Sequence, residues 1–159
     1  MAGKALQDNY PEEYAHCFGC GRLNKEGMHI KSYWEGDEGV CRFTPGSQYT
    51  GGVPGYAYGG LIASLIDCHS AATASAAAFR AEGSTEGAPF PRFVSASLKV
   101  DFLKPTPMET VLELRGKVIE AKGRKVVVSV TLSADSEVRA KGESVLIRIA
   151  GQARPQGES

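Results

Sequence analysis

A nearly uncharged segment lies in the middle of the chain. Across residues 43–79 the one formally charged side chain is Asp67, although charged residues make up 23% of the sequence. Apolar residues recur at helical spacing over 61–76, and this part is rich in Ala, the strongest helix former. The sequence therefore predicts a helix over about 60–82, closed by Gly83. A helix that is apolar on most sides requires other elements around it.

Residues on both sides of this helix alternate between apolar and polar side chains, as half-buried strands do. The predicted strands are 28–35, 40–44, 94–102, 112–118, 126–132 and about 138–149. Residues 121–124 suit a hairpin connection. One long helix and a five- to six-stranded antiparallel sheet make an α+β fold in which the helix packs on one sheet face. One helix cannot cover both faces of such a sheet, so we expect pairing with a second copy.

Length and charge place the chain in a broad class. A sequence of 159 residues fits one domain, which we assign to 28–150, after an irregular segment 1–27 and before a tail, 151–159, expected to be disordered. Eighteen Lys and Arg balance eighteen Asp and Glu, which argues against a nucleic-acid binder. The sequence has no run of 18 apolar residues and no apolar leader, so we expect no membrane-spanning helix and a cytoplasmic location.

A motif at the start of the predicted helix resembles a known family. Tyr58-Gly59-Gly60 followed by Leu65-Ile66-Asp67 is similar to the H-G-G-x-x-x-x-x-x-D motif of hotdog-fold acyl-CoA thioesterases of the phenylacetyl-CoA type. The strand order over about 27–149 resembles the hotdog fold, and Cys17-Phe18-Gly19-Cys20-Gly21 with Gly27-Met28 resembles the N-terminal segment of one subgroup. The resemblance implies a hotdog domain, here without a cofactor, that hydrolyses an acyl-CoA thioester.

The same resemblance implies roles for individual residues. It places the catalytic carboxylate at Asp67 and the backbone N–H that polarises the carbonyl at Gly59 or Gly60. A strand Ser that orients the attacking water in some members corresponds to Ser95. Asp67 is interpreted as a general base or a direct nucleophile, and both stay open. The alternative for Asp67 is a buried carboxylate that caps a loop or pairs with an Arg, and for Ser95 an ordinary surface Ser.

Three further residues are candidates for substrate binding. Tyr58 stands where the family usually has His, and Gly52 stands where some members have Asn. His69 follows Asp67 by two positions, about 200° around a helix, so the two side chains do not share a face. For His69, a packed core or interface histidine is the alternative to a substrate contact.

Spacing along the helix predicts an oligomer. Asp67 follows Gly59 by eight positions, which is roughly 12 Å along a helix axis. Both groups must reach atoms of one thioester within about 3 Å. We therefore expect donor and carboxylate to come from two protomers, in a homodimer or a dimer of dimers.

The pair Cys17-x-x-Cys20, preceded by His16, raises the question of zinc or redox chemistry. No second C-x-x-C follows, and Cys41 and Cys68 are isolated in the sequence. Because closed zinc sites use four ligands, the prediction is no metal, with a structural turn near the substrate entrance instead.

Two alternative functions stay open. The departures at Tyr58 and Gly52 motivate a non-catalytic acyl-CoA-binding or regulatory module. A hotdog hydratase or dehydratase is the less favoured alternative, because it would normally use a His in the site and neither His29 nor His69 is convincingly placed.

Overall fold

The structure is a computed structural model that describes residues 3–149. Within this range it contains a single α-helix, α1 (Gly59–Ala81), and one six-stranded sheet. The strands are β1 (Ser32–Glu35), β2 (Glu38–Phe43), β3 (Phe93–Phe102), β4 (Leu112–Lys122), β5 (Lys125–Ala134) and β6 (Glu137–Arg148). Short 3₁₀ turns lie at Leu6–Asn9, Glu12–Tyr14 and Ser47–Tyr49. The predicted α+β class is confirmed, and the predicted tail at 151–159 lies outside the described residues.

The helix α1 begins and ends where its sequence favours it. Tyr58 has an extended backbone, and the helix starts at the next residue. At the other end Gly83 takes a left-handed φ of 65°. Its N–H bonds the carbonyl of Arg80, and the N–H of Ser84 bonds that of Phe79. This pair of bonds is the Schellman arrangement, which satisfies carbonyls left free at a helix end.

The sheet is antiparallel throughout and wraps one face around α1. Its strand order is β1-β2-β4-β5-β6-β3, so β1 and β3 form the edges. Gly123 turns the β4–β5 hairpin with a φ of 59°, as predicted for residues 121–124. By length and composition α1 is apolar enough to cross a membrane, with a mean hydropathy of 1.2, but 67% of that window is buried inside the fold. Packing against the sheet accounts for its apolar composition.

Glycines in the sheet allow α1 to approach closely. A Cβ at Gly142 in β6 would come 2.5 Å from Ile66 Cγ2, and a Cβ at Gly39 in β2 would overlap Thr73. Ile66 and Thr73 both lie in α1 and are fully buried. The helix therefore rests directly on strand backbone at these two points.

The first predicted strand is shorter in the structure. The sequence predicts a strand over 28–35, but β1 begins at Ser32. The N–H of Met28 bonds the carbonyl of Phe18, and the N–H of Ile30 bonds that of Gly19. Residues 28–31 therefore pair with the N-terminal turn rather than with the sheet, and their alternating pattern reflects burial against that turn.

Candidate active site

Two of the predicted catalytic residues are in direct contact. Asp67 lies in the third turn of α1. It is half-buried and is on the side of the helix that faces β3. The Ser95 hydroxyl, near the start of β3, donates a hydrogen bond to Asp67 Oδ1. A register irregularity between Ser95 and Ser97 interrupts the β3–β6 pairing at this point. The bond fixes Oδ1, and because both oxygens belong to one carboxylate, it also fixes the position of Oδ2.

The first residues of α1 present backbone donors. Gly59 and Gly60 are exposed and precede the first i to i−4 bond of the helix, where N–H groups have no partner within the helix. The helix dipole adds positive potential there. A Cβ at Gly59 would lie 3.3 Å from the Phe102 ring, and a Cβ at Gly60 would overlap the ring of Tyr58. Glycine at both positions therefore keeps the backbone accessible between two aromatic rings.

A cavity of about 550 Å³ opens beside this helix start. Most of its lining is apolar, and it includes Gly52, a predicted substrate-binding residue, together with Gly59. Lys104 lies at its wall and forms an ion pair with Glu137. The other lining residues are Gly51, Val53, Tyr56, Ala57, Ile62, Phe102, Leu103, Pro105 and Thr106. Asp67 is not among the lining residues, so within one chain the cavity and the carboxylate are separate.

The loop that forms this cavity is exposed in the single chain. An uncharged segment over 43–79 predicts burial or contact with a partner. The helical half is buried, whereas the loop residues 50–60 are mostly exposed in the single chain. Part of the loop lines the apolar cavity, and its remaining surface is open to other contacts.

Comparison with known proteins identifies the family. A sequence model of the thioesterase superfamily matches residues 54–141, more than half of the chain and the part that contains Gly59, Gly60, Asp67 and Ser95. The chain belongs to the thioesterase superfamily.

Individual relatives agree with this assignment. Acyl-coenzyme A thioesterase THEM4 of Xenopus laevis is 31% identical over 112 residues, which are 69% of this chain and 45% of that protein. This chain therefore spans less than half the length of that curated relative. A crystal structure of a thioesterase superfamily protein from Shewanella loihica PV-4 is 43% identical, with a TM-score of 0.65, covering 86% of this chain and 96% of the other.

The fold is shared more widely. The PaaI protein from the phenylacetic acid degradation operon of E. coli is 18% identical with a TM-score of 0.64, covering 78% of this chain and 82% of that one. At this identity the likeness shows the fold alone. The resemblance to hotdog thioesterases is confirmed, and the helix wrapped by six antiparallel strands is the hotdog fold.

In this thioesterase-family chain, His69 lies away from the cavity and from the Asp67–Ser95 pair. It is fully buried between α1 and the sheet. Its Nε2–H donates to the Gly39 carbonyl at 3.1 Å, and its Nδ1 accepts a 2.8 Å hydrogen bond from Ser32 Oγ. Gln7 Nε2 donates to the same Ser32 oxygen. Burial lowers the pKa of His69 to about 4. These contacts favour the core role for His69 over substrate binding, and they argue against the hydratase alternative.

Tyr58 is not among the residues that line the cavity. It is the residue before α1, its N–H donates to the Tyr49 carbonyl, and its own carbonyl accepts from the Leu61 N–H. Its exposed ring lies against Gly60. The side chain that replaces the usual His of the thioesterase motif is therefore next to the predicted oxyanion donor, where it can contact a bound substrate.

The cysteines are arranged in a way that the sequence does not reveal. Cys68, one residue after Asp67, lies beside Cys17 and Cys20, and the three Sγ atoms lie within 4.8 Å of one another. Hydrogen bonds from the other two thiols hold the pKa of Cys17 well below its usual range, and the same contact with Cys17 raises the pKa of Cys20 to about 12. The C-x-x-C spacing predicts that Cys17 and Cys20 lie close together. No spacing in the sequence predicts that Cys68 lies beside them.

Proposed function

We propose that the chain is an acyl-CoA thioesterase, which hydrolyses an acyl-CoA to a free acid and coenzyme A. The observation that carries the proposal is the Ser95–Asp67 hydrogen bond on a helix that begins with Gly59-Gly60. The substrate class is supported by the name of the frog relative, an acyl-coenzyme A thioesterase. The apolar cavity at the helix start suits an acyl group.

The proposed chemistry assigns each group one task. The N–H of Gly59 or Gly60 binds the thioester oxygen, where negative charge develops as the carbonyl is attacked. In one route Asp67 accepts a proton from water while that water attacks the carbonyl carbon. In the other route Asp67 attacks directly and forms an anhydride, which water then hydrolyses. In both routes the C–S bond breaks and the coenzyme A thiolate takes up a proton, from Asp67 in the first route and from solvent in the second. Ser95 holds the carboxylate in place.

We further propose that the working unit is a dimer formed through β3. This strand is an edge of the sheet, with unpaired backbone groups that favour pairing with another strand. Every residue from Val94 to Lys99 is exposed, and the apolar Val94, Leu98 and Phe102 are 48%, 36% and 57% exposed. Such an apolar edge is typical of an interface.

The two ends of β3 support this arrangement. Ser95 at one end contacts Asp67, and Phe102 at the other end lies against Gly59. If two copies of β3 pair antiparallel around a two-fold axis near Leu98, the Ser95 end of one copy faces the Phe102 end of the other. Asp67 of one protomer then lies near Gly59 of its partner, which gives two equivalent sites per dimer.

Release of free thiol from a panel of acyl-CoAs tests the proposed activity. We expect Asp67→Asn to lower kcat by roughly 10²- to 10⁴-fold, the usual range for a lost acid–base group, while the thermal midpoint is retained. Ser95→Ala should lower kcat less, because it removes only the group that positions Asp67. Asp37→Asn is the matched control, since Asp37 lies in the exposed β1–β2 turn. Full activity of Asp67→Asn would contradict the proposal.

One observation favours a second function. The ring of Tyr58 lies against Gly60, so it occupies space beside the proposed oxyanion donor. This arrangement suits a non-catalytic module that binds acyl-CoA. Calorimetric titration with several acyl-CoAs distinguishes the two functions, because tight binding without release of thiol would select the binding module.

A further inference from the structure

Three thiols meet where the N-terminal segment crosses α1. The Sγ atoms of Cys17 and Cys68 are 3.9 Å apart, and all three pairs among Cys17, Cys20 and Cys68 are within 4.8 Å. Cys17 and Cys20 belong to the turn that precedes β1, whereas Cys68 lies in α1. Cys20 and Cys68 are buried and Cys17 is exposed. The cluster thus has a buried side within the fold and one side toward solvent.

The backbone around the cluster is built to hold these positions. The Gly19 N–H donates to Cys17 Sγ at 3.3 Å, and the Gly21 N–H donates to the Cys17 carbonyl at 2.8 Å. The Gly19 carbonyl is fixed in turn by the N–H of Ile30. A Cβ at Gly19 would overlap Cys68 Sγ. Only glycine therefore lets the turn approach the helix thiol.

One sulfur pair has the spacing of a tetrahedral thiolate site. With a Zn–S distance of about 2.3 Å, two sulfurs of a tetrahedron are about 3.8 Å apart. The Cys17–Cys68 distance of 3.9 Å has nearly this value, and the other two pairs are within 4.8 Å. A disulfide would require about 2.05 Å. Soft thiolate ligands select Zn²⁺ and similar thiophilic cations over Mg²⁺ or Ca²⁺.

We propose that Cys17, Cys20 and Cys68 bind one Zn²⁺ ion per chain, with the fourth position on the solvent side filled by water. The ion would tie the N-terminal segment to α1 one residue after Asp67. The Asp67 carboxylate bonds Ser95 of β3, whereas Cys68 faces the N-terminal turn, so the ion and the proposed catalytic pair contact different elements. This inference does not depend on the proposed thioesterase activity.

Titration of the metal-free full chain with Co²⁺ under anaerobic, reducing conditions tests the proposal. We expect one equivalent to produce a thiolate-to-cobalt charge-transfer band together with the visible bands of tetrahedral cobalt, and Zn²⁺ to displace it. Cys17→Ser should weaken binding by at least about 100-fold, more than loss of an outer-shell partner. Zn²⁺ should raise the thermal midpoint of the unsubstituted chain and leave that of Cys17→Ser unchanged.

Controls separate this result from misfolding and from unspecific binding. Cys17 is exposed, so Cys17→Ser is expected to keep the circular dichroism of the unsubstituted chain. Cys41→Ser is the matched control, because Cys41 is a free thiol of β2 outside the cluster, and it should retain the cobalt bands. The proposal is wrong if the unsubstituted chain gives no thiolate–cobalt band, or if Cys17→Ser binds cobalt with unchanged affinity.

Discussion

Acidification should destabilise the fold through His69. In the native state its Nε2–H donates to a carbonyl oxygen, and its Nδ1 must stay unprotonated to accept the hydrogen bond from Ser32. Protonation would place a charge in a fully buried position and would set an N–H of the ring against the Ser32 hydroxyl. The unfolded chain has no such restriction, so it binds the proton first as the pH falls.

The size of the effect follows from the pKa of His69 in the two states. Burial lowers it from 6.5 to about 4. Above pH 6.5 the imidazole is neutral in both states and the full stability is present. Between pH 6.5 and pH 4 the unfolded state binds one more proton, so stability falls by about 1.4 kcal/mol per pH unit, or about 3 kcal/mol in all. Below pH 4 both states are protonated and His69 contributes no further loss.

Urea unfolding between pH 4 and pH 7.5 measures this loss, with a chelator present so that protons do not compete with metal for the thiols. Carboxylates titrate in the same range, so the informative quantity is the difference between the unsubstituted chain and His69→Gln. We expect His69→Gln to be less stable at neutral pH and to lack the additional slope below pH 6.5. His16→Gln, at an exposed histidine, should keep that slope. Equal slopes for His69→Gln and the unsubstituted chain would show that His69 does not cause the loss of stability.

Three further predictions follow from close contacts and the exposed strand. Gly142→Ala places a Cβ 2.5 Å from Ile66 Cγ2, so the free energy of unfolding in urea should fall by about 1–3 kcal/mol. Gly60→Ala forces the Tyr58 ring to move beside the proposed oxyanion donor. We expect it to lower kcat by up to about 10²-fold with an unchanged thermal midpoint. Leu98→Asp puts a charge at the centre of the proposed β3 interface, and sedimentation analysis should then find a monomer without activity.

Much of the architecture was predictable because it depends on local periodicity. The helix was predicted within one residue at each end, since its Ala-rich sequence and Gly83 specify both its interior and its end. The alternation after residue 93 predicted four strands that the structure contains. The first strand was predicted four residues too long at its start. The same alternation arises when residues 28–31 pack against an irregular turn instead of a neighbouring strand.

The candidate site was less predictable from residues alone. Asp67 was identified because it is the single charge in an apolar segment, a property that the sequence displays directly. Its contact with Ser95 joins residues 28 apart. The family resemblance implied a catalytic role for each residue but no contact between them. The approach of Cys68 to the C-x-x-C turn depends on how the N-terminal segment crosses α1, and no local pattern encodes that crossing. The helical angle of about 200° between Asp67 and His69 predicted that their side chains lie on different faces of the helix, as they do in the structure.

The strand β3 is more exposed in the single chain than its sequence pattern predicts, and the proposed dimer accounts for the difference. Its alternating apolar residues predict a strand with a buried face, yet Val94, Leu98 and Phe102 are exposed in one chain. The same strand contacts Asp67 through Ser95 at one end and Gly59 through Phe102 at the other. In the proposed dimer, covering the apolar residues also brings the carboxylate of one protomer to the backbone donor of its partner. Burial of β3 and assembly of the active site would then be one event, so a substitution that prevents pairing should remove activity without touching any catalytic group.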